Sequence, residues 1–297
     1  MRAILTGLLL AAAWASSAQE LAPRAYWPTP NGTNVLVLTY QKTTGDIVTD
    51  ASLPVTGVES DIDFFQLSYQ RTISLAGRTA SLQVSVPYSE GLTEGVVEGE
   101  FLRRETAGIG DTRLRLAYNL KGAPTMDRAA FGALRAAPRT IVGSSLLVQV
   151  PTGEYDPDRL INIGTNRWAL KPALGVIWPL YPSWLLEVEL GAWLFGDNDD
   201  FQDSTRQQDP ILSTEMHLIK RIRPGFWASL DANYYVGGRT RVDGIYQSDL
   251  QRNSRLGATA VLPMKGGSAI RASISTGIVA ESGGDFENFS LSYIRAW

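Results

Sequence analysis

Beyond residue 13 the chain holds no apolar run long enough to cross a bilayer as a helix, yet apolar and small or polar residues alternate in segment after segment. A spanning helix needs about 20 consecutive apolar residues, whereas a period of two sends neighbouring side chains to opposite faces of a sheet. The last segment, Phe289-Ser-Leu-Ser-Tyr-Ile-Arg-Ala-Trp297, shows this period and stops on an aromatic. Only helices and closed barrels satisfy their backbone polar groups in lipid. A chain of this kind therefore crosses a membrane as a barrel or not at all.

The pattern predicts twelve strands, near residues 33-42, 61-74, 78-88, 109-120, 139-151, 165-179, 183-196, 209-222, 225-237, 252-263, 268-280 and 286-297. An even count suits a single-chain bacterial barrel. The seventh segment is the cleanest: Trp184, Leu186, Val188, Leu190, Ala192 and Leu194 share one face, and Glu187, Glu189 and Gly191 the other. The first segment is ambiguous, because Val35 and Val37 alternate with Leu36 and Leu38.

Connections alternate between short and long. Leu75-Ala-Gly77, Leu180-Tyr-Pro182, Arg223-Pro-Gly225 and Lys265-Gly-Gly267 carry tight-turn chemistry. Longer connections cover about 43-60, 89-107, 152-164, 197-208, 238-251 and 281-285. Short turns belong to the periplasm and long loops to the outside, which places both termini in the periplasm. The stretch from Gly122 to Pro138 breaks the rule; Thr125 as a cap, an early Asp and much Ala predict a short helix over 125-137, solvated or acting as a periplasmic lid or partner contact.

Alternation alone leaves open which face is wet, since a soluble barrel or sandwich alternates too. Tyr40, Tyr88, Tyr118, Trp168, Trp178, Trp184 and Trp297 fall near strand ends on the apolar face, as interfacial girdles do. This favours an all-β, transmembrane, antiparallel up-and-down barrel with lipid outside. Met1-Arg2 followed by an apolar run, with Ser16-Ser17-Ala18 at its end, predicts a signal peptide over 1-18 and one barrel domain over 19-297. The net charge of -3 is too mild to suggest nucleic acid as a partner. With no Cys there are neither disulfides nor thiolate metal sites.

The polar face of the strands carries Arg113, Arg115, Lys171, Glu187, Glu189, Glu215, His217, Asp231, Arg255 and Arg271, the candidates for lining the lumen. Two explanations stand side by side: ion pairs bracing the wall, or a charged lining that selects solutes. Glu187 and Arg113 would matter most if they line a constriction. A hydrolase would need His217 activated beside a Ser or Asp; the barrel phospholipases place their serine two residues after the histidine, and Ile219 stands there. The acidic stretches 154-158 and 197-203 lack EF-hand spacing, and Gly108-Ile-Gly110 opens a strand instead of a helix. No cofactor, metal site or catalysed reaction is expected.

Pro151-Thr-Gly-Glu-Tyr-Asp156, Leu160-Ile-Asn-Ile-Gly-Thr-Asn-Arg-Trp168, Asp197-Asn-Asp-Asp-Phe201, Arg223-Pro-Gly-Phe-Trp227, Tyr234-Tyr-Val-Gly-Gly-Arg-Thr240 and Gln251-Arg-Asn-Ser-Arg255 resemble a family of bacterial outer-membrane transporters labelled as the meta-pathway of phenol degradation family. The likeness spans most of the chain and is strongest from Thr140 onward. It implies export to the outer membrane, assembly by the machinery that reads the terminal aromatic strand, contact with outer-membrane lipid, and passive uptake of a small solute, aromatic or hydrophobic. The rival expectation is a structural or partner-binding barrel with a closed lumen.

Overall fold

The computed structural model describes residues 23-48, 55-97, 100-159, 162-181 and 183-297. The predicted leader, and Pro182 of one short turn, lie outside the described residues. The chain forms a closed antiparallel barrel of twelve staves. β1 (Asn34–Val48), β2 (Val55–Leu75) and β3 (Arg78–Val97) follow one another as long hairpins. The fourth stave is broken: β4 (Glu100–Ile109) pairs with the outer part of β3, and β5 (Thr112–Lys121) with its inner part. β6 (Ile141–Val150), β7 (Ala169–Tyr181) and β8 (Trp184–Phe195) continue the wall. After two short extracellular strands, β9 (Asn198–Phe201) and β10 (Ser204–Gln208), come β11 (Ile211–Arg223) and β12 (Phe226–Gly237). A second short pair, β13 (Thr240–Val242) and β14 (Ile245–Tyr246), precedes β15 (Gln251–Pro263), β16 (Ser268–Val279) and β17 (Gly283–Ala296). Closure comes from β17 on β1, in register from Val35 opposite Ala296 to Val48 opposite Gly283. Predicted strand 286-297 is thus the closing strand.

The faces fall as the alternation requires. Leu67, Leu114, Leu174, Leu190, Leu212, Leu230 and Leu291 are exposed outward, while Ser68, Asn119, Glu187, Glu215, Asp231 and Ser292 are buried in the interior. In β1 the ambiguity resolves with Leu38 outward and Val35 and Val37 inside, where they line a cavity. Tyr40, Phe65 and Tyr88 are cross-strand neighbours, with ring centroids 5.3 and 6.3 Å apart. Two residues further out on the same face, Lys42 pairs with Asp63 at 3.0 Å and with Asp61. Aromatic rings sit at headgroup level, so this row marks where the outer wall leaves lipid for water.

That boundary corrects two predicted loops. Residues 43-48 and 55-60 of the first, and 89-97 and 100-107 of the second, belong to strands: β1 to β4 stay paired well beyond the girdle. At ~3.4 Å per residue, the 21-residue β2 is on the order of 70 Å long. Out of the membrane neither face has to be apolar, so the alternation that announces a strand fades while the ladder continues.

The periplasmic turns keep their predicted chemistry. Ala76 and Gly77 both adopt positive φ, as a two-residue hairpin loop of the primed type demands. Gly225 at φ 82° follows Pro224 between Arg223 and Phe226, the arrangement of a type II turn. The predicted helix is α1 (Arg128–Ala136), and its cap is Asp127, not Thr125: Asp127 Oδ1 accepts the Ala130 amide at 2.8 Å. Thr125 is drawn instead to the β2–β3 turn, its hydroxyl 2.6 Å from Ser74 Oγ. Leu134 of α1 and Met126 are buried against inward-facing Ile141, Ile177, Leu185, Ile219, Trp227 and Val261. The helix is therefore a surface helix docked at the periplasmic mouth through Leu134, with Arg128, Ala129, Ala130, Gly132, Ala133 and Ala136 exposed. Arg295, the polar intruder near the chain end, donates to Gly266 O in the neighbouring turn and to Ser268 Oγ at 3.2 Å.

Candidate functional site in the barrel lumen

All ten candidate side chains turn inward, but into two different environments. Most of the charges pack together on the wall made by β5, β7, β8, β11, β12 and β15. Glu189 and Glu215 stand directly opposite across β8 and β11, a pairing of like charges that would be unfavourable alone. Lys171 bridges them, 3.1 Å from Glu189 Oε1 and 2.7 Å from Glu215 Oε1. It reaches β11 by passing over Gly191, where a Cβ would lie 2.9 Å from Lys171 Cε. Arg115 adds a longer contact to Glu189, at 3.7 Å. In the next tier His217 Nδ1 lies 2.8 Å from Asp231 Oδ1, and Thr259 donates to Asp231 Oδ2 at 2.8 Å. Arg255 donates to Phe286 O at 2.6 Å.

The segment 23-33, ahead of β1, enters the barrel from the periplasmic side. The Arg24 amide donates to Glu187 Oε2 at 2.6 Å, so Glu187 is held by this segment and lines neither lumen cavity. The Arg24 guanidinium sits 4.5 Å from the Trp27 ring and 5.2 Å from that of Trp227. Tyr26 is only 2% exposed, and its hydroxyl is 3.0 Å from Ser145 Oγ. Its ring lies where Gly143 and Gly175, paired across β6 and β7, have no side chains; a Cβ on either would come within 2.2 Å of the ring. Two inward glycines in register were the available signal for something docked inside.

Two cavities lie between the charged wall and the mostly uncharged one of β1, β2 and β3: Asp231 and Arg255 border the outer cavity, and Arg115, Lys171, Glu189 and Glu215 the inner one. The outer one, of about 310 Å³, includes Gln41, Phe64, Ser89, Asn288 and Ser290. The inner one, of about 240 Å³, runs beside segment 23-33 to the periplasmic ends of the strands at Val35, Thr72 and Thr79. Thr39, Gln66, Arg113 and Arg271 border both. These four define a ring between the compartments, and Arg113 and Arg271 give it two cationic side chains.

The connection 151-168 folds inward over the outer cavity, placing Asn162, Ile163 and Thr165 on its wall. One buried carboxylate holds it there. Asp111, at the break between β4 and β5, accepts from the amides of Gly153 and Thr165, each at 2.9 Å, and from Gln149 Nε2 at 3.0 Å. Asp111→Ala is expected to loosen this loop by ~1–3 kcal/mol, the usual cost of stranded buried donors. Hydrogen exchange at the Gly153 and Thr165 amides would then speed up, about tenfold for each 1.4 kcal/mol; unchanged exchange would show that the carboxylate is not the tie.

Outside, β9, β10, β13 and β14 form a small separate sheet. It is joined to the inward loop by Asn198, which donates to Tyr155 Oη at 2.8 Å, and by Tyr155, which donates to Asp200 O at 2.8 Å. Burial pushes the Tyr155 hydroxyl above its ordinary range, keeping it a donor. The predicted connections 197-208 and 238-251 are thus a folded cover. Among the described residues no cluster of acidic or His side chains could hold a metal ion.

An apolar outer belt with an aromatic boundary, a polar lumen and closure of the last strand on the first define an outer-membrane β-barrel. Within that class, the chain belongs to the family described as "Putative MetA-pathway of phenol degradation", whose model matches residues 36-293. The fold is similar to that of an outer membrane channel from Pseudomonas putida F1, with a TM-score of 0.80 and 22% identity over 94% of this chain and all of that one. It is more distantly similar to the transport unit of the autotransporter AIDA-I from Escherichia coli, with a TM-score of 0.52 and 10% identity over 99% of this chain and 97% of that one. No curated protein matches the sequence.

Proposed function

We propose that this protein is an outer-membrane channel for passive uptake of a small aromatic or hydrophobic solute, and that it catalyses no reaction. The observation that carries this is the succession of two cavities through one ring of Thr39, Gln66, Arg113 and Arg271. A solute would enter under the inward loop, cross the ring and leave beside segment 23-33. In this account Glu189, Lys171 and Glu215 brace the wall beside the inner cavity, and Arg113 and Arg271 meet the solute at the ring. Residues 1-18 would be removed on export, and the outer-membrane assembly machinery would insert the barrel.

The family's link to phenol degradation supports an aromatic cargo. Although His217 lies beside Asp231, it lines neither lumen cavity, which argues against a hydrolase. The rival, a closed barrel, draws on the packing of segment 23-33 around Tyr26.

Single-channel recording of the purified, refolded protein in a planar bilayer separates the two. Steady conductance that falls when an aromatic solute is added on one side is the expected result. A correctly folded, heat-modifiable barrel that passes no current would favour the closed barrel.

A further inference from the structure

We propose that the outer cavity is a binding site for a small aromatic monocarboxylate, with its ring against Ile62, Phe64, Pro87 and Ile163 and its carboxylate on Arg113. This rests on the channel reading above and gives its cargo a charge. The lumenal face of a barrel is expected to be polar, and here most of it is. Ile62 and Phe64 are exceptions: they occupy successive inward positions of β2 and remain partly accessible, so their apolar surface faces the cavity. Pro87 of β3 and Ile163 of the inward loop meet the same space at Gly110. A Cβ there would stand 3.0 Å from Pro87 Cγ and 3.6 Å from Ile163 Cγ2, so the glycine lets both apolar side chains close around the same end of the cavity.

The polar end is equally specific. Arg113 borders both cavities, and its buried Nε has no acceptor among the described residues. Asp111, Asp231 and Glu90 also line the outer cavity, but the oxygens of the first two already accept from Gln149, Gly153 and Thr165 in one case and from His217 and Thr259 in the other, and Glu90 is exposed beside the Tyr88 hydroxyl. What the cavity still offers is a donor. A guanidinium recognises a carboxylate through two parallel hydrogen bonds. Phe64 stands one inward position above Gln66 of the ring, a rise of ~7 Å, the scale of a benzene ring with its carboxylate. A neutral aromatic would leave the guanidinium without an acceptor, and an aliphatic acid would leave the apolar wall bare.

The test is calorimetric titration of the folded, full-length barrel in detergent with benzoate, benzamide and acetate. Benzoate is expected to bind roughly tenfold or more tightly than either comparator, the discrimination that a lost polar or apolar contact gives. Arg113→Gln should erase the preference over benzamide, Arg113→Lys should retain part of it, and Phe64→Ala should erase the preference over acetate. Heat-modifiable mobility on gels certifies that each variant is folded. Equal affinity for the three compounds in the unaltered protein overturns the proposal, as does a folded Arg113→Gln protein that still prefers benzoate. Conductance measured in parallel keeps the two readings apart. Current without discrimination defeats only the aromatic acid, whereas discrimination without current defeats only the channel.

Discussion

Replacing Lys171 with Met is expected to destabilise the barrel by ~3–5 kcal/mol, because it removes a cation that bridges two buried carboxylates. Lys171 lies between Glu189 at 3.1 Å and Glu215 at 2.7 Å, and the side chains of all three are at most 10% exposed. Met fills nearly the same volume, so the loss would be electrostatic and not a packing defect. Without the ammonium, the two carboxylates would face each other across β8 and β11 with little water to screen them. Urea unfolding from detergent micelles would report the change. Adding Glu215→Gln to Lys171→Met should recover part of the loss, as coupled sites do. A single-variant loss below ~1 kcal/mol would place this triad with exposed pairs that contribute little.

The second large effect concerns the segment inside the barrel. Gly143→Val with Gly175→Val puts methyl groups where the Tyr26 ring lies, since even a Cβ at either site would come within 2.2 Å of it. Valine suits a strand, so the wall should form while Tyr26 is displaced. The Arg24 amide would then lose Glu187, and the Arg24 guanidinium would leave the indoles of Trp27 and Trp227. The expected result is a severalfold rise in single-channel conductance with a red-shifted tryptophan emission. Gly132→Ala is the control: a Cβ there meets nothing within 4 Å, and helix α1 should only gain stability. Unchanged conductance in a folded double variant would mean that segment 23-33 does not limit the passage.

The barrel was legible from sequence wherever lipid imposes a rule. Between the girdles the outer face must be apolar while much of the inner face is polar, so segments such as 184-195 announce both strand and face, even with Leu185 and Trp193 buried inside. The rule ends with the bilayer. Lys42, Asp61 and Asp63 continue their strands in water, where polarity on both faces resembles a loop. Segment 23-33 escaped notice for a different reason: its partners are far along the chain, with Tyr26 meeting Ser145 and Arg24 meeting Glu187. The candidate site was half legible. Period two identified which charges face inward, but which of them meet depends on tier and on gaps such as Gly191. The apolar members Ile62 and Phe64 interrupt the polar face, and a period of two gives such an interruption no role.

The broken fourth stave has a consequence for how copies of the protein share a crowded membrane. Among the described residues β4 pairs as a strand with β3 alone, so beyond Ile109, which is bonded to Glu154, its other flank carries an unspent ladder just outside the cell. A bare flank invites another chain to add itself as a strand. Here Arg103, Arg104 and Glu105 ride on β4, with Arg103 paired to Glu94 of β3 and to Glu105. An incoming strand would have to displace this charged fringe from water, a cost that works against edge-to-edge pairing of neighbouring barrels.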